Sequence, residues 1–226
     1  MSKPQPTPEE TDPPAESTDA ATGEETSTDT EQTTGAHSVV AALEKAGVEI
    51  TFGVQGGAIM PVYDALADSE IRHVSMAHEQ GAAHAADAYG IVSGDPGVTI
   101  TTSGPGATNL VTGIADANLD SDPVVSLTGQ VPQDMVGNDA FQETNTMGIT
   151  APITKANIFA TSPDSVGDDV GTAMALAREG RQGPTLVDLP KNVTQGATDV
   201  EPSEPTAPES ARVPSETADP ETVAAA

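Results

Sequence analysis

From residue 36 to residue 195, short runs of β-branched and aliphatic residues alternate with helical patterns, and this alternation constrains the fold more than any other feature. The strand-like runs are "EITFGV", "IRHVSM", "GVTITTS", "PVVSLTG" and "PTLVDLP". Between them, helical spacing is carried by "SVVAALEKAG", "AIMPVYDALADS", residues 79–92, residues 106–120 and "SVGDDVGTAMALARE". Near-continuous apolar strands need cover on both faces, and helices between successive strands supply it. The pattern predicts an α/β domain, a parallel sheet with helices on both faces. Ligands of such sheets bind beyond the carboxyl ends of the strands.

The flanks cannot build a core. Residues 1–35 hold no aromatic and no Val, Ile or Leu, and residues 196–226 are punctuated by Pro and Glu. Both read as disordered acidic tails, the second also as the start of a linker. The formal charge is -27, from 8 Lys and Arg against 35 Asp and Glu. That balance excludes nucleic acid and anionic membrane as partners, because both would repel it. It fits a solvated acidic surface in a salt-rich cytoplasm, where screening relieves self-repulsion. Cysteine is absent, so there is no disulfide or thiol chemistry. With no signal core and no membrane-spanning run, a cytoplasmic location is expected.

Three loops fall where strands give way to helices: "GVQGGA" (53–58), "MAHEQGA" (76–82) and "TSGPGATN" (102–109). Glycine lets backbone approach a ligand, and helix-start N–H groups attract electron-rich atoms. "TSGPGATN" lacks the Lys-Ser/Thr pair of a phosphate loop, and Asn109 stands where a dinucleotide fingerprint needs its last Gly. A tight turn explains each glycine loop equally well. Glu79 suits a first helical turn through the macrodipole. His78 and His84 are six apart, on different helical faces, so no metal is expected between them. The small residues of "GAAHAADA" point to close packing.

Taken together, "HEQGAAHAAD" and "TSGPGATN" resemble thiamine-diphosphate enzymes. "TGQVP" followed by "DAFQET" resembles more specifically the large catalytic subunit of acetolactate (acetohydroxyacid) synthase. The resemblance covers residues 36–195 and implies the pyrimidine-binding domain of that family. It implies that Glu79 hydrogen-bonds the N1′ nitrogen of the aminopyrimidine and so drives deprotonation of the thiazolium carbon. Gln142 matches a glutamine that reaches into the active site. Gly56, Gly57, Thr102, Pro105 and Asn109 match cofactor-contacting positions, and Pro132 and Phe141 match the substrate channel. Arg181 and Lys191 match residues near FAD, which is structural in that family. For Arg181 and Lys191 plain surface charge is the competing reading.

The implied reaction joins two pyruvates into 2-acetolactate with loss of carbon dioxide, in branched-chain amino-acid (isoleucine and valine) biosynthesis. Val54-Gln55 departs from the usual loop, and "DAYGIVSG" replaces the commoner "DGYARATG". The central and diphosphate-binding domains of the family find no match here, and Mg²⁺ would enter only through the latter. The resemblance therefore implies a truncated or split chain. It would be inactive alone and completed in a homo- or hetero-oligomer by a diphosphate-binding chain or a full-length synthase. The alternatives are a non-catalytic interaction module and the pyrimidine subunit of another split decarboxylase acting on small 2-oxo acids.

Overall fold

The computed structural model describes residues 32–211. The chain runs α1 (Gly35–Lys45), β1 (Ile50–Val54), α2 (Met60–Ala67), β2 (Arg72–Ser75), α3 (Glu79–Ser93) and β3 (Gly97–Thr101). It continues through α4 (Pro105–Thr108), α5 (Val111–Asp120), β4 (Val124–Gln130), α6 (Thr146–Thr150) and β5 (Ala156–Phe159). It closes with α7 (Val166–Arg178), β6 (Thr185–Pro190) and α8 (Lys191–Gln195). The strands form one sheet in the order β2-β1-β3-β4-β6-β5. Every neighbouring pair is parallel.

The period of two along each strand divides the core. Val98, Ile100, Val125, Leu127, Val187 and Leu189 pack with α1, α2, α7 and α8 on one face. Leu186 and Val124 point the other way, into smaller clusters built with α3 and α5. On that second face Thr99 pairs with Ser126 at 3.1 Å, whereas the buried Thr101 hydroxyl has no partner among the described residues. Such pairing is what makes a hydroxyl tolerable in a core. The expected α/β sheet with helices on both faces is the observed architecture.

Local chemistry explains two element boundaries directly. Pro61 sits in the first turn of α2, where its missing N–H costs nothing. Gly94, at φ +78°, stops α3. The helix expected over 106–120 is instead two pieces, α4 and α5, divided at Asn109 and Leu110. β5 was not expected: it is a four-residue edge strand, nowhere fully buried, so its apolar signal is weak.

Residues 197–207, within the stretch expected as a disordered tail or the start of a linker, hydrogen-bond to the domain. Thr198 N–H donates to Thr33 at 3.0 Å, and its hydroxyl donates to Asp164 at 2.6 Å. Lys45 Nζ donates to the Pro202 carbonyl at 2.6 Å, and Ser203 N–H donates to Asp168 at 2.6 Å. These bonds, with Pro202 and Ala207 buried and Pro202 set against Gly167 of α7, hold the stretch. Of the tails expected over 1–35 and 196–226, residues 1–31 and 212–226 lie outside the described residues, and residues 32–35 lead into α1, with Thr34 at its N-cap.

Strand order positions the site. From β1 the chain first moves outward to β2, then crosses back to β3 on the other side of β1. The loops after β1 and β3 therefore diverge and leave a crevice at the carboxyl edge.

Candidate functional site

Glu79 opens α3 at that crevice. The His78 imidazole caps the helix, its Nδ1 accepting the Gln80 N–H at 3.1 Å. Asn109, at the end of α4, donates its side-chain amide to Glu79 Oε2 at 2.9 Å. Oε1 has no hydrogen-bond partner among the described residues. It faces Gly106, where an added methyl group would stand 3.6 Å from it and 2.7 Å from Thr102 Cγ2. Any side chain at position 106 would thus collide with Thr102 beside the carboxylate. Thr102 also fills the space above Gly56, where a methyl group would come within 2.5 Å of its Cβ. Its hydroxyl accepts the Ala58 N–H at 3.3 Å. The β1 and β3 loops are thereby locked side by side. Pro105 starts α4 and is exposed.

Tyr63 belongs to the same neighbourhood. Its hydroxyl donates to the Ile100 carbonyl at 2.8 Å. Burial, with the Glu79 charge second, holds the phenol well above its ordinary pKa and hence neutral.

Next to this cluster lies a cavity of about 240 Å³, floored by Gly57 and Gln130 and walled by Pro132, Phe141, Gln142 and Lys191. The segment carrying Phe141 and Gln142 is held in several ways. The Glu143 carboxylate accepts the Gly137 N–H and, at 2.9 Å, the Ala140 N–H. Those backbone bonds hold its pKa below the usual carboxylate range. Gln142 adopts φ +57°, a left-handed conformation rare for a side-chain-bearing residue. Its carbonyl lies against Gly104, where a methyl group would stand 2.6 Å from it. Gly104 is itself at φ +56°.

Beneath the segment, Gln130 Nε2 donates to Asp188 at 2.9 Å and to the Thr144 carbonyl at 3.0 Å. Thr128 donates to the other Asp188 oxygen at 2.8 Å. Burial pushes Asp188 up to about 6, against the lowering effect of these two donors.

Residues 33–149 match the family model described as "Thiamine pyrophosphate enzyme, N-terminal TPP binding domain". The chain belongs to the thiamine pyrophosphate enzyme family. It is similar to the probable acetolactate synthase large subunit of Methanocaldococcus jannaschii, at 52% identity over 167 residues, which is 74% of this chain and 28% of that protein. It is 53% identical over 170 residues to the acetolactate synthase large subunit of Corynebacterium glutamicum, covering 75% of this chain and 27% of that one. The Parasynechococcus marenigrum large subunit is 50% identical over 175 residues, with 76% and 28% covered. The chain thus spans little more than a quarter of the length of the curated relatives it matches.

Within this thiamine pyrophosphate enzyme domain the fold brings together Glu79, Asn109, Thr102, Gly56, Gly57, Gln142, Pro132, Phe141 and Lys191. Arg181 is not among them. Its Nε donates to Ser121 Oγ at 2.7 Å, and its guanidinium reaches the Leu119 carbonyl at 3.4 Å, closing the end of α5. It precedes β6 and Lys191 follows it, so roughly 20 Å of strand separates them. Three residues of the site that sequence reading missed are Tyr63, Gln130 and Asp188. The available signal was a Gln and an Asp inside fully buried strands, "VVSLTGQ" and "TLVDLP".

Proposed function

We propose that this domain holds the aminopyrimidine end of thiamine diphosphate and supplies the pyrimidine half of an acetolactate synthase active site. The observation that carries the reading is the Glu79 carboxylate, oriented through Oε2 by Asn109 and turned at Oε1 toward the bare backbone of Gly106. An unsubstituted cradle beside a partly buried, oriented acceptor fits a flat heteroaromatic ring that presents a nitrogen-bound proton. When bound, the cofactor supplies the carbanion chemistry that protein side chains lack. Glu79 holds the proton at the ring nitrogen. Asn109 fixes the carboxylate rotamer, and Thr102 keeps the two glycine loops in contact. The cavity walled by Phe141, Gln142 and Pro132 receives a small 2-oxo acid such as pyruvate, with Lys191 providing positive charge.

On this reading Mg²⁺ enters with a diphosphate-binding domain carried by another chain or chain segment, and the assembly is an oligomer in the cytoplasm. Arg181 and Lys191 stand at opposite ends of β6, and no step is assigned to flavin. Among the described residues, no helix is long and apolar enough to cross a membrane.

The test is reconstitution. The native chain is purified with whatever co-purifies, then assayed for 2-acetolactate from pyruvate with and without a diphosphate-domain chain. Product only in the paired sample supports the reading. Product from this chain alone overturns the half-site, and no product in either sample favours the non-catalytic interaction module.

A further inference from the structure

His84 and Asp87 lie one turn apart on α3, and Asp116 faces them from α5. The two helices come this close because position 113 is glycine: a methyl group there would stand 2.4 Å from Ala83 Cβ. His84 Nδ1 lies 3.6 Å from Asp116 Oδ2. One donor atom from each of the three residues falls within 4.8 Å of the others. Asp87 is only 8% exposed, and its Oδ1 is shut off from solvent with no hydrogen-bond partner. The Asp122 carboxyl hydrogen-bonds the Asp87 side chain as well, a contact between two acids that needs a proton or a cation. A buried carboxylate facing two further carboxylates is costly unless a cation or a proton lies between them.

We propose that the α3–α5 crossing binds one divalent transition-metal cation, of the zinc or manganese kind, through His84, Asp87 and Asp116. The donor set decides the class. An imidazole nitrogen with carboxylate oxygens suits first-row divalent ions better than magnesium or calcium, which prefer oxygen alone. Ligand atoms on a tetrahedral ion at ordinary zinc distances stand about 3.4 Å apart, close to the His84–Asp116 spacing. Asp116 is exposed, so its side chain is free to rotate inward and close the wider gap. The ion cross-links α3, the helix that begins at Glu79, to α5. His78, whose ring caps α3, takes no part.

The probe is Co²⁺, titrated into the full chain in KCl and followed by its visible d–d absorption, with Zn²⁺ as competitor. One Co²⁺ per chain is expected, displaced by Zn²⁺, with affinity lowered at least tenfold in Asp87→Asn, His84→Gln and Asp116→Asn and unchanged in Asp134→Asn. Asp116 is exposed, so its variant reports on binding even if the Asp87 variant misfolds. Absence of a saturable site, or equal affinity in all four variants, overturns the proposal. Either result would leave a shared proton as the neutralising charge.

Discussion

Gln130 and Asp188, 58 positions apart in the chain, meet at 2.9 Å where adjacent parallel strands β4 and β6 end. Through the same nitrogen Gln130 holds the Thr144 carbonyl, two residues from Gln142. A carboxylate buried in the sheet therefore anchors the loop that walls the cavity. Asp188→Ala leaves the Gln130 and Thr128 donors unsatisfied and should cost about 2–4 kcal/mol. Asp188→Asn can still accept from Gln130 while donating to the Thr128 hydroxyl, and should lose about 1 kcal/mol or less. Urea denaturation midpoints of the two variants check this.

The same residue makes stability depend on pH. Its folded pKa, about 6, lies above the ordinary 3.8, so the fold favours the protonated form. The carboxyl then binds more protons in the folded than in the unfolded chain between these values. Its contribution is fully present below 3.8 and is lost as pH rises to about 6. The gap corresponds to about 3 kcal/mol. The stability of the native chain minus that of Asp188→Asn should fall by about that amount from pH 4 to pH 7, measured by denaturation at each pH. A difference that stays flat would mean that Asp188 titrates normally.

Gly104 and Gln142 make the second contact that shapes the cavity. Gly104→Ala meets a left-handed φ of +56° and a carbonyl 2.6 Å from the new methyl group. The backbone cost alone is about 1–2 kcal/mol. The added clash should displace the Gln142 segment, so amide exchange over residues 137–143 should accelerate while α3 keeps its protection. Unchanged exchange there would show that the loop does not lean on Gly104.

If Glu79 holds the cofactor proton, Glu79→Gln should lower turnover in the reconstituted synthase about 10²- to 10⁴-fold with the fold intact. Asn109→Ala frees the carboxylate rotamer and should cost less, roughly tenfold. Steady-state assays beside circular dichroism separate these losses from unfolding. Equal activity of Glu79→Gln and the native chain would remove Glu79 from the chemistry.

Much of the site was readable from local sequence. Glu79, Thr102 and Asn109 sit in loops whose glycines interrupt strand and helix periods, and the strand-to-helix switch placed them at one edge of a parallel sheet. Gln130 and Asp188 were overlooked because, read along the chain, each is one polar residue in a strand that is otherwise mostly apolar and hydroxylic. Arg181 was grouped with Lys191 because both match positions near FAD in the resembled family. β6 runs between them and sends them to opposite ends of the sheet. Residues 197–207 read as tail because their Pro- and Glu-rich composition gives no sign of the tertiary contacts that bury Pro202 and Ala207.

By itself the sequence determined where most strands and helices form, since periods of 2 and 3.6 are set by neighbours a few residues away. It also determined that both faces of the sheet are covered, because β3, β4 and β6 carry buried residues throughout. The order β2-β1-β3-β4-β6-β5, and with it the meetings of Gln142 with Gly104, Gln130 with Asp188 and His84 with Asp116, was decided only in the tertiary structure. Those meetings depend on which strands pair and how closely helices cross, and long-range packing sets both.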